Sequence, residues 1–427
     1  MRKLITAGLL TSMTLFSCTH KINNIINAKE VERIETVLSS DEMKGRKTFS
    51  PDIEHASAFI ESEFKKAGLK TFTDANGYRQ EFNMIASTNT AASVVIDGQT
   101  IDDSLIAVAS FQPRVSLSEK NAEIVNIKSN DDFRKKYTEY SSSKKNLLVL
   151  VDASFKSYAG RLKRRSPAIF EQPDNSIVFV FGKNTASTFS IELTNNIVKK
   201  PLNNVVGMIP GKTLKNEYVI FSGHYDHLGI GKAVNNDSIY NGANDDAAGT
   251  TAVITLAKYF KALNNNERTL VFVAFTAEEI GGYGSQYFSK QFDPEQVKAM
   301  FNIEMIGTES KWGKGSAYIT GFEKTNMGTI LQQNLQGSSF QFYADPYTTQ
   351  NLFYRSDNAT LARQGVPAHS ISTSKMDNEP NYHKVSDEIG TLDMNNMAEI
   401  IKAIALSSQT IISGKDTPTR VDTKTLN

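Results

Sequence analysis

The sequence predicts an α/β protein: a mixed, largely parallel sheet flanked by helices, with an inserted mainly-β accessory domain. Three observations predict it. From residue 202 onward, strand-like runs ("EYVIFSG", "RTLVFVAF", "MFNIEMI", "AHSIST") alternate with helical ones ("GTTAVITLAKYFKAL", "DMNNMAEIIKAIALSSQ"). Strands separated by helices build a parallel sheet covered on both faces. From about 90 to 200 the runs are shorter ("ASVVID", "NLLVLVD", "SIVFVFG"), split by Gly, Asn, Asp and Ser, and read as β-strands. Histidines and acids gather at the ends of the later strands, where open α/β folds place their sites.

In chain order, "MRKLITAGLLTSMTLFSC" has two early positive charges, an apolar stretch and Ser17 before Cys18. This is the layout of a secretory signal peptide over 1–18, and "LFSC" resembles a bacterial lipoprotein box. Export to the cell envelope or periplasm is the expectation, with membrane attachment only through a lipid on Cys18. Residues 19–28 read as a polar tether. The N-terminal part of the main domain follows over 29–90, with an amphipathic helix over 52–69. Its Ile53, Ala56, Ile60 and Phe64 share one face; Asp52 is placed to cap it and Gly68 to end it. The accessory domain is assigned to 91–200, the remainder of the main domain to 201–413, and a frayed polar tail to 414–427. In "GTTAVITLAKYFKAL", Val253, Leu256, Ala257, Phe260 and Leu263 form a core stripe.

Composition excludes several chemistries. Of 427 residues, 40% are hydrophobic and 22% charged, as in ordinary globular proteins. A net charge of +1 gives no basis for nucleic-acid binding. Cys18 is the single cysteine, which excludes internal disulfides, thiol catalysis and cysteine-based zinc sites. "GMIPGKT" lacks the spacing of a phosphate loop, and neither H-E-x-x-H nor G-x-S-x-G occurs.

The strand ends carry the chemistry. The first ends in His224-Tyr225-Asp226-His227, and the next helix is entered through "NGANDDAAG" with Asp245 and Asp246. The second ends in "TAEEIGGYGS" with Glu278 and Glu279, the third carries Glu304, and the last is followed by Tyr382 and His383 in "NYHKVSDE". Acids clustered at one sheet edge need a positive partner, and these segments supply no matching lysine or arginine. A divalent metal answers that need, and mixed imidazole and carboxylate donors suit zinc, or manganese or cobalt. His369 reads as a satisfied core residue; His20 and His55 read as inert.

These motifs resemble the co-catalytic di-zinc aminopeptidase family, whose relatives include glutamate carboxypeptidases and glutaminyl cyclases. The resemblance covers 202–410 and extends to "LSSDEMKGRKTFSP…KKAGL" at 38–69. It implies a zinc-exopeptidase type of sheet, a peptide substrate and two zinc ions per chain. It further implies His224, Asp245, Glu279, Glu304 and His383 as ligands, with Asp245 bridging. Glu278 would be the general base toward a metal-bound hydroxide, and Tyr382 an oxyanion donor. Asp226 would hydrogen-bond the His224 imidazole, and Asp246 would follow Asp245 across a cis peptide. His227 matches no ligand position and reads as structural. The family usually has aspartate where this chain has Glu304. The resemblance therefore implies an exported metallopeptidase, in first place an aminopeptidase. Glutaminyl cyclase and a non-catalytic binding protein on the same scaffold are the alternatives, and "QFYADPYTTQNLFYRSDN" at 341–358 is a candidate pocket wall.

Overall fold

The computed structural model describes residues 21–72, 77–163 and 168–426. The expected signal peptide, with Cys18 and His20, lies outside the described residues. The chain divides into two units: one runs up to Glu81 and resumes over Leu202–Asn427, and the other is Phe82–Pro201.

The second unit begins earlier than the 91–200 expected for it. It is built on a four-stranded sheet of Ile106–Ser110, Ser176–Phe181, Leu147–Val151 and Glu123–Ile127, in that order. Its central strands Leu147–Val151 and Ser176–Phe181 are buried along their whole length, which is why they read as unbroken apolar runs. Phe133–Ser141 and Ala159–Lys163 are short helices within it.

The first unit holds all the residues singled out above for chemistry. Its main helices are α1 (Ala28–Leu38), α2 (Ile53–Ala67), α3 (Ala248–Leu263) and α4 (Met394–Ser407). Its main strands are β1 (Phe189–Ile209, entering this unit at Leu202), β2 (Leu214–His224), β3 (Arg268–Phe275), β4 (Val297–Ile303), β5 (Ser316–Ile319), β6 (Gln341–Ala344) and β7 (Ala368–Ser372). The sheet order is β6-β5-β7-β4-β2-β3-β1. β2 runs parallel to both β3 and β4, and β4 runs parallel to β7. Antiparallel pairs join β3 to β1 and β7 to β5.

Register is what places the site. His224 at the end of β2 lies opposite Phe275 at the end of β3, and Ser222 lies opposite Asn302 near the end of β4. Glu278, Glu279 and Glu304 therefore leave the sheet at the same carboxyl edge as His224. On one face, Phe221 stacks on Phe260, Phe272 and Phe301 at 5.3, 5.5 and 4.9 Å. Helices α1 to α4 cover that face with a continuous apolar core. The other face is covered by Phe288, Leu361, Val366 and Val421, among others. Among the described residues no helix is long and apolar enough to cross a membrane.

Three expectations are corrected. Part of the proposed tether is folded: residues 21–25 are helical and Ile22 and Ile26 are buried in the core. Asn27 caps α1 by accepting the Glu30 N–H at 3.1 Å. Asp52 makes no cap hydrogen bond to α2 and instead pairs with Lys44 at 3.2 Å, although Gly68 does end the helix in the left-handed region. The tail is not frayed over its described length. Val421 is buried and donates its N–H to the Gly365 carbonyl at 3.0 Å, and Arg268 reaches the Asp416 carbonyl at 2.8 Å.

Candidate metal centre

The nine residues predicted from the sequence fall at one edge of the sheet; His224, Asp226, Asp245 and Asp246 are buried and the other five are half-buried. Asp245 lies at their centre. Its Oδ1 is 3.2 Å from His224 Nε2, and its Oδ2 is 3.2 Å from His383 Nε2. His224 Nε2 is also 3.5 Å from Glu304 Oε1, and His383 Nε2 is 3.2 Å from Glu279 Oε2. One carboxylate thus contributes an oxygen to each of two adjacent histidine–carboxylate sets. Glu278 belongs to neither set, but its Oε2 is 3.9 Å from His224 Nε2.

The backbone that aims these side chains is strained at three places. Ala277, Met305 and His383 have φ of 61, 51 and 55°, in the left-handed region where non-glycine residues are uncommon. Ala277 and Met305 adjoin Glu278 and Glu304, so each strand bends sharply as it delivers its acid. Hydrogen bonds hold the bends: the Met305 carbonyl accepts the Thr373 N–H at 3.2 Å, and its N–H reaches Asp246 Oδ1 at 3.1 Å.

The Asp245–Asp246 peptide bond is cis. Asp246 accepts three main-chain N–H groups, from His224, Gly249 and Met305, at 3.0–3.1 Å. A Cβ at Gly249 would meet the Ile303 carbonyl at 2.1 Å and Asp246 Oδ2 at 2.3 Å, so this close approach requires glycine. Asp245 is positioned by Asp387, whose oxygens accept the Asn244 and Asp245 N–H groups at 2.8 and 3.0 Å.

Asp226 acts differently from the sequence expectation. The His224 Nδ1 contact at hydrogen-bond distance is the Asp226 main-chain carbonyl, 3.0 Å away, while the nearer Asp226 carboxylate oxygen is at 3.7 Å. The carboxylate accepts instead from the Glu278 N–H at 3.0 Å, the Glu279 N–H at 3.4 Å and Thr48 Oγ1 at 2.8 Å. Glu304 Oε2 accepts from Ser356 Oγ at 2.7 Å, and Asn302 Nδ2 donates to Ser356 Oγ at 2.8 Å.

Electrostatics test whether a cation fits. Nδ1–H of His224 is used on a carbonyl, so in the neutral ring the Nε2 lone pair faces the oxygens of Asp245 and Glu304. That arrangement is repulsive unless a positive ion lies between them, either a metal or a proton. Burial opposes a charged His224, but the carboxylates raise it above its ordinary value, so the metal-free centre holds a proton there. Burial pushes Glu278 well above the usual carboxylate range, with Asp357, Glu304 and Glu279 adding and His224 opposing. Burial also raises Asp245, but hydrogen bonds from His224 and His383 outweigh it and hold this carboxylate below its ordinary value. His383 is raised to about 10 by its hydrogen bonds to Asp245 and Glu279. The donor set fits two divalent cations of the kind imidazole and carboxylate ligands hold.

Tyr382 stacks on His383 at 3.9 Å and lines the same pocket as Glu278, Glu304 and Asp245. Burial raises its phenol, which keeps the hydroxyl proton available for donation. Leu352, Arg355 and Ser356 from the 341–358 segment also line that pocket, with Met305, Tyr318 and Met376. His369 is a satisfied core residue: Nδ1 is 2.9 Å from the Thr320 carbonyl and Nε2 is 2.8 Å from Thr325 Oγ1.

Sequence reasoning missed Arg46, Asp387, Ser356 and the placement of His227. Arg46 is fully buried and donates to the carbonyls of Leu38, Tyr225, Asn241 and Gly242, clamping the loops on both sides of the centre. The signal for Asp387 was its place four residues beyond His383 in "HKVSDE". His227 does not stand apart from the site: its Nδ1 is 2.7 Å from Glu279 Oε1.

The carboxyl edge of a largely parallel sheet thus gathers two histidine–carboxylate sets around one aspartate. Residues 204–407 match the model of peptidase family M28. Leucine aminopeptidase 1 of Metarhizium robertsii is 26% identical over 212 residues, 46% of this chain and 51% of its own length. A probable zinc metalloprotease of Pyricularia oryzae is 32% identical over 111 residues, 26% of this chain and 22% of its own. The chain thus spans about half the length, or less, of these relatives. The solved aminopeptidase from Aneurinibacillus sp. strain AM-1 shares the fold at 16% identity. Its TM-score is 0.54, over 96% of this chain and 98% of that one.

Proposed function

We propose that this chain is an exported, zinc-dependent aminopeptidase that carries two zinc ions. The observation that supports this most is the division of Asp245, with one oxygen toward His224 and the other toward His383. Zinc held by these two sets would supply an acidified water and positive charge for the hydrolysis of a peptide bond.

The chain's own residues supply the rest. Glu278 sits beside His224 without belonging to either set, so its carboxylate is free to take a proton and pass it to the leaving amine. Its raised proton affinity suits that exchange. Tyr382 lines the pocket with its phenol protonated, a candidate donor to the developing oxyanion. Met305, Leu352 and Met376 give the pocket an apolar wall, which suits an apolar N-terminal side chain. Export rests on the "MRKLITAGLLTSMTLFSC" layout, and mass spectrometry of the mature N-terminus tests both cleavage and a lipid on Cys18.

A panel of aminoacyl and N-blocked peptides tests the activity before and after chelation. The expected outcome is release of N-terminal residues from unblocked peptides only, abolished by chelator and restored by zinc. Cleavage that ignores both the amine and the chelator would contradict the reading.

A further inference from the structure

We propose that His227 is a ligand, through Nδ1, of the metal held by Asp245, Glu279 and His383. This rests on the reading that the centre binds zinc.

The His227 side chain is fully buried, and neither ring nitrogen has a hydrogen-bond partner. Nδ1 lies 2.7 Å from Glu279 Oε1 and 3.9 Å from Asp245 Oδ2. Glu279 Oε1 is itself buried and without a hydrogen-bond partner, so the short approach lacks hydrogen-bond geometry. An imidazole nitrogen and a carboxylate oxygen brought this close without hydrogen-bond geometry can share a direction toward a common point, as ligands of one ion do. The His383 ring stands edge-on to His227, with centroids 5.7 Å apart and planes at 70°.

The comparison with His369 is direct. Both histidines are buried, yet His369 places both ring nitrogens on protein partners and His227 places neither. Buried ring nitrogens are ordinarily satisfied, so an imidazole kept for packing is expected to resemble His369.

The ring is nevertheless held in place by the backbone around it. The His227 N–H donates to the Arg46 carbonyl at 3.2 Å. On the other side is Gly242, with φ of 57°, where a Cβ would lie 2.5 Å from ring carbons. Gly242 thus leaves the room the ring occupies, and Arg46 fixes His227 through its main-chain carbonyl and Gly242 through its guanidinium.

The consequence is an asymmetric centre. His227, Asp245, Glu279 and His383 give one metal four protein ligands, while His224, Asp245 and Glu304 give the other three. The first ion would be the retained one and the second the more exchangeable, with more open coordination.

X-ray absorption spectroscopy of the zinc-loaded full chain tests this without a variant. The expected spectrum contains three imidazoles over two zinc ions, from His224, His227 and His383. Two imidazoles with both zinc ions bound would overturn the inference and leave the metallopeptidase reading standing. Absence of bound zinc would overturn both. In His227→Gln, checked for native circular dichroism, the tighter zinc is expected to weaken by more than about 100-fold in chelator competition, beyond the roughly 10–100-fold of an outer hydrogen-bond partner. Unchanged zinc affinity in that variant would overturn the inference as well.

Discussion

The Asp226 carboxylate accepts the main-chain N–H of Glu278 at 3.0 Å, tying the end of β2 to the loop that carries Glu278 and Glu279. Asp226 also holds the Thr48 hydroxyl and the Glu279 N–H. Asp226→Asn replaces one oxygen by a donor that faces N–H groups. Turnover is expected to fall roughly 10–100-fold with the fold retained. Steady-state kinetics beside circular dichroism check this; unchanged kcat would show that the tie is dispensable.

Glu278 is the acid left outside both histidine–carboxylate sets. Glu278→Gln is expected to keep metal content and lower kcat by about 10²–10⁴-fold, the usual range for loss of a positioned acid–base group. Elemental analysis and kinetics on the same sample give the answer. Full activity in this variant would remove Glu278 from the mechanism.

Arg46 satisfies carbonyls from four residues on three segments without a direct carboxylate partner. Arg46→Met leaves those buried carbonyls unmatched and removes the positive charge near Glu35, Asp387 and Asp245. Unfolding free energy is expected to drop by about 3 kcal/mol or more. Denaturant titration measures it, and a loss within about 0.5 kcal/mol would place Arg46 among neutral surface changes.

Glu35 is buried and its carboxyl is pushed up to about 8 from 4.5 by burial; the Thr251 hydroxyl and Arg46 oppose this and Asp387 adds to it. Below the unfolded value both states carry the proton. Between about 4.5 and 8 the unfolded chain releases it and the folded chain keeps it, so stability falls as pH rises through this window and then levels off. Glu35→Gln removes the dependence. Its stability relative to the parent is expected to grow across the window to a few kcal/mol, roughly 1.4 kcal/mol per pH unit of separation. Thermal unfolding of both proteins as a function of pH checks the slope, and parallel curves would contradict it.

Much of this is legible in the sequence. β3 spans the "RTLVFVAF" run and α3 nearly matches its helical run, because full burial leaves an unbroken apolar signature. Histidines and acids at strand ends stood out because sheet topology sends strand ends to one place. The partners of those residues did not stand out. Asp387 and Arg46 reach the centre across large sequence separations, through main-chain atoms that carry no residue signature. The contact of His227 with Glu279 was hidden for a related reason: it depends on how Gly242 and Arg46 seat the ring. The polar composition of 414–427 concealed a segment anchored by a few specific contacts, above all Val421 and the Arg268 side chain.

Anomalous diffraction from crystals of the zinc-loaded protein, collected at the zinc edge, tests the central claim most directly. Two peaks are predicted, one among His224, Asp245 and Glu304 and one among Asp245, Glu279 and His383, with Asp245 touching both. A single peak, or peaks that leave Asp245 uncoordinated, would contradict the two-metal account.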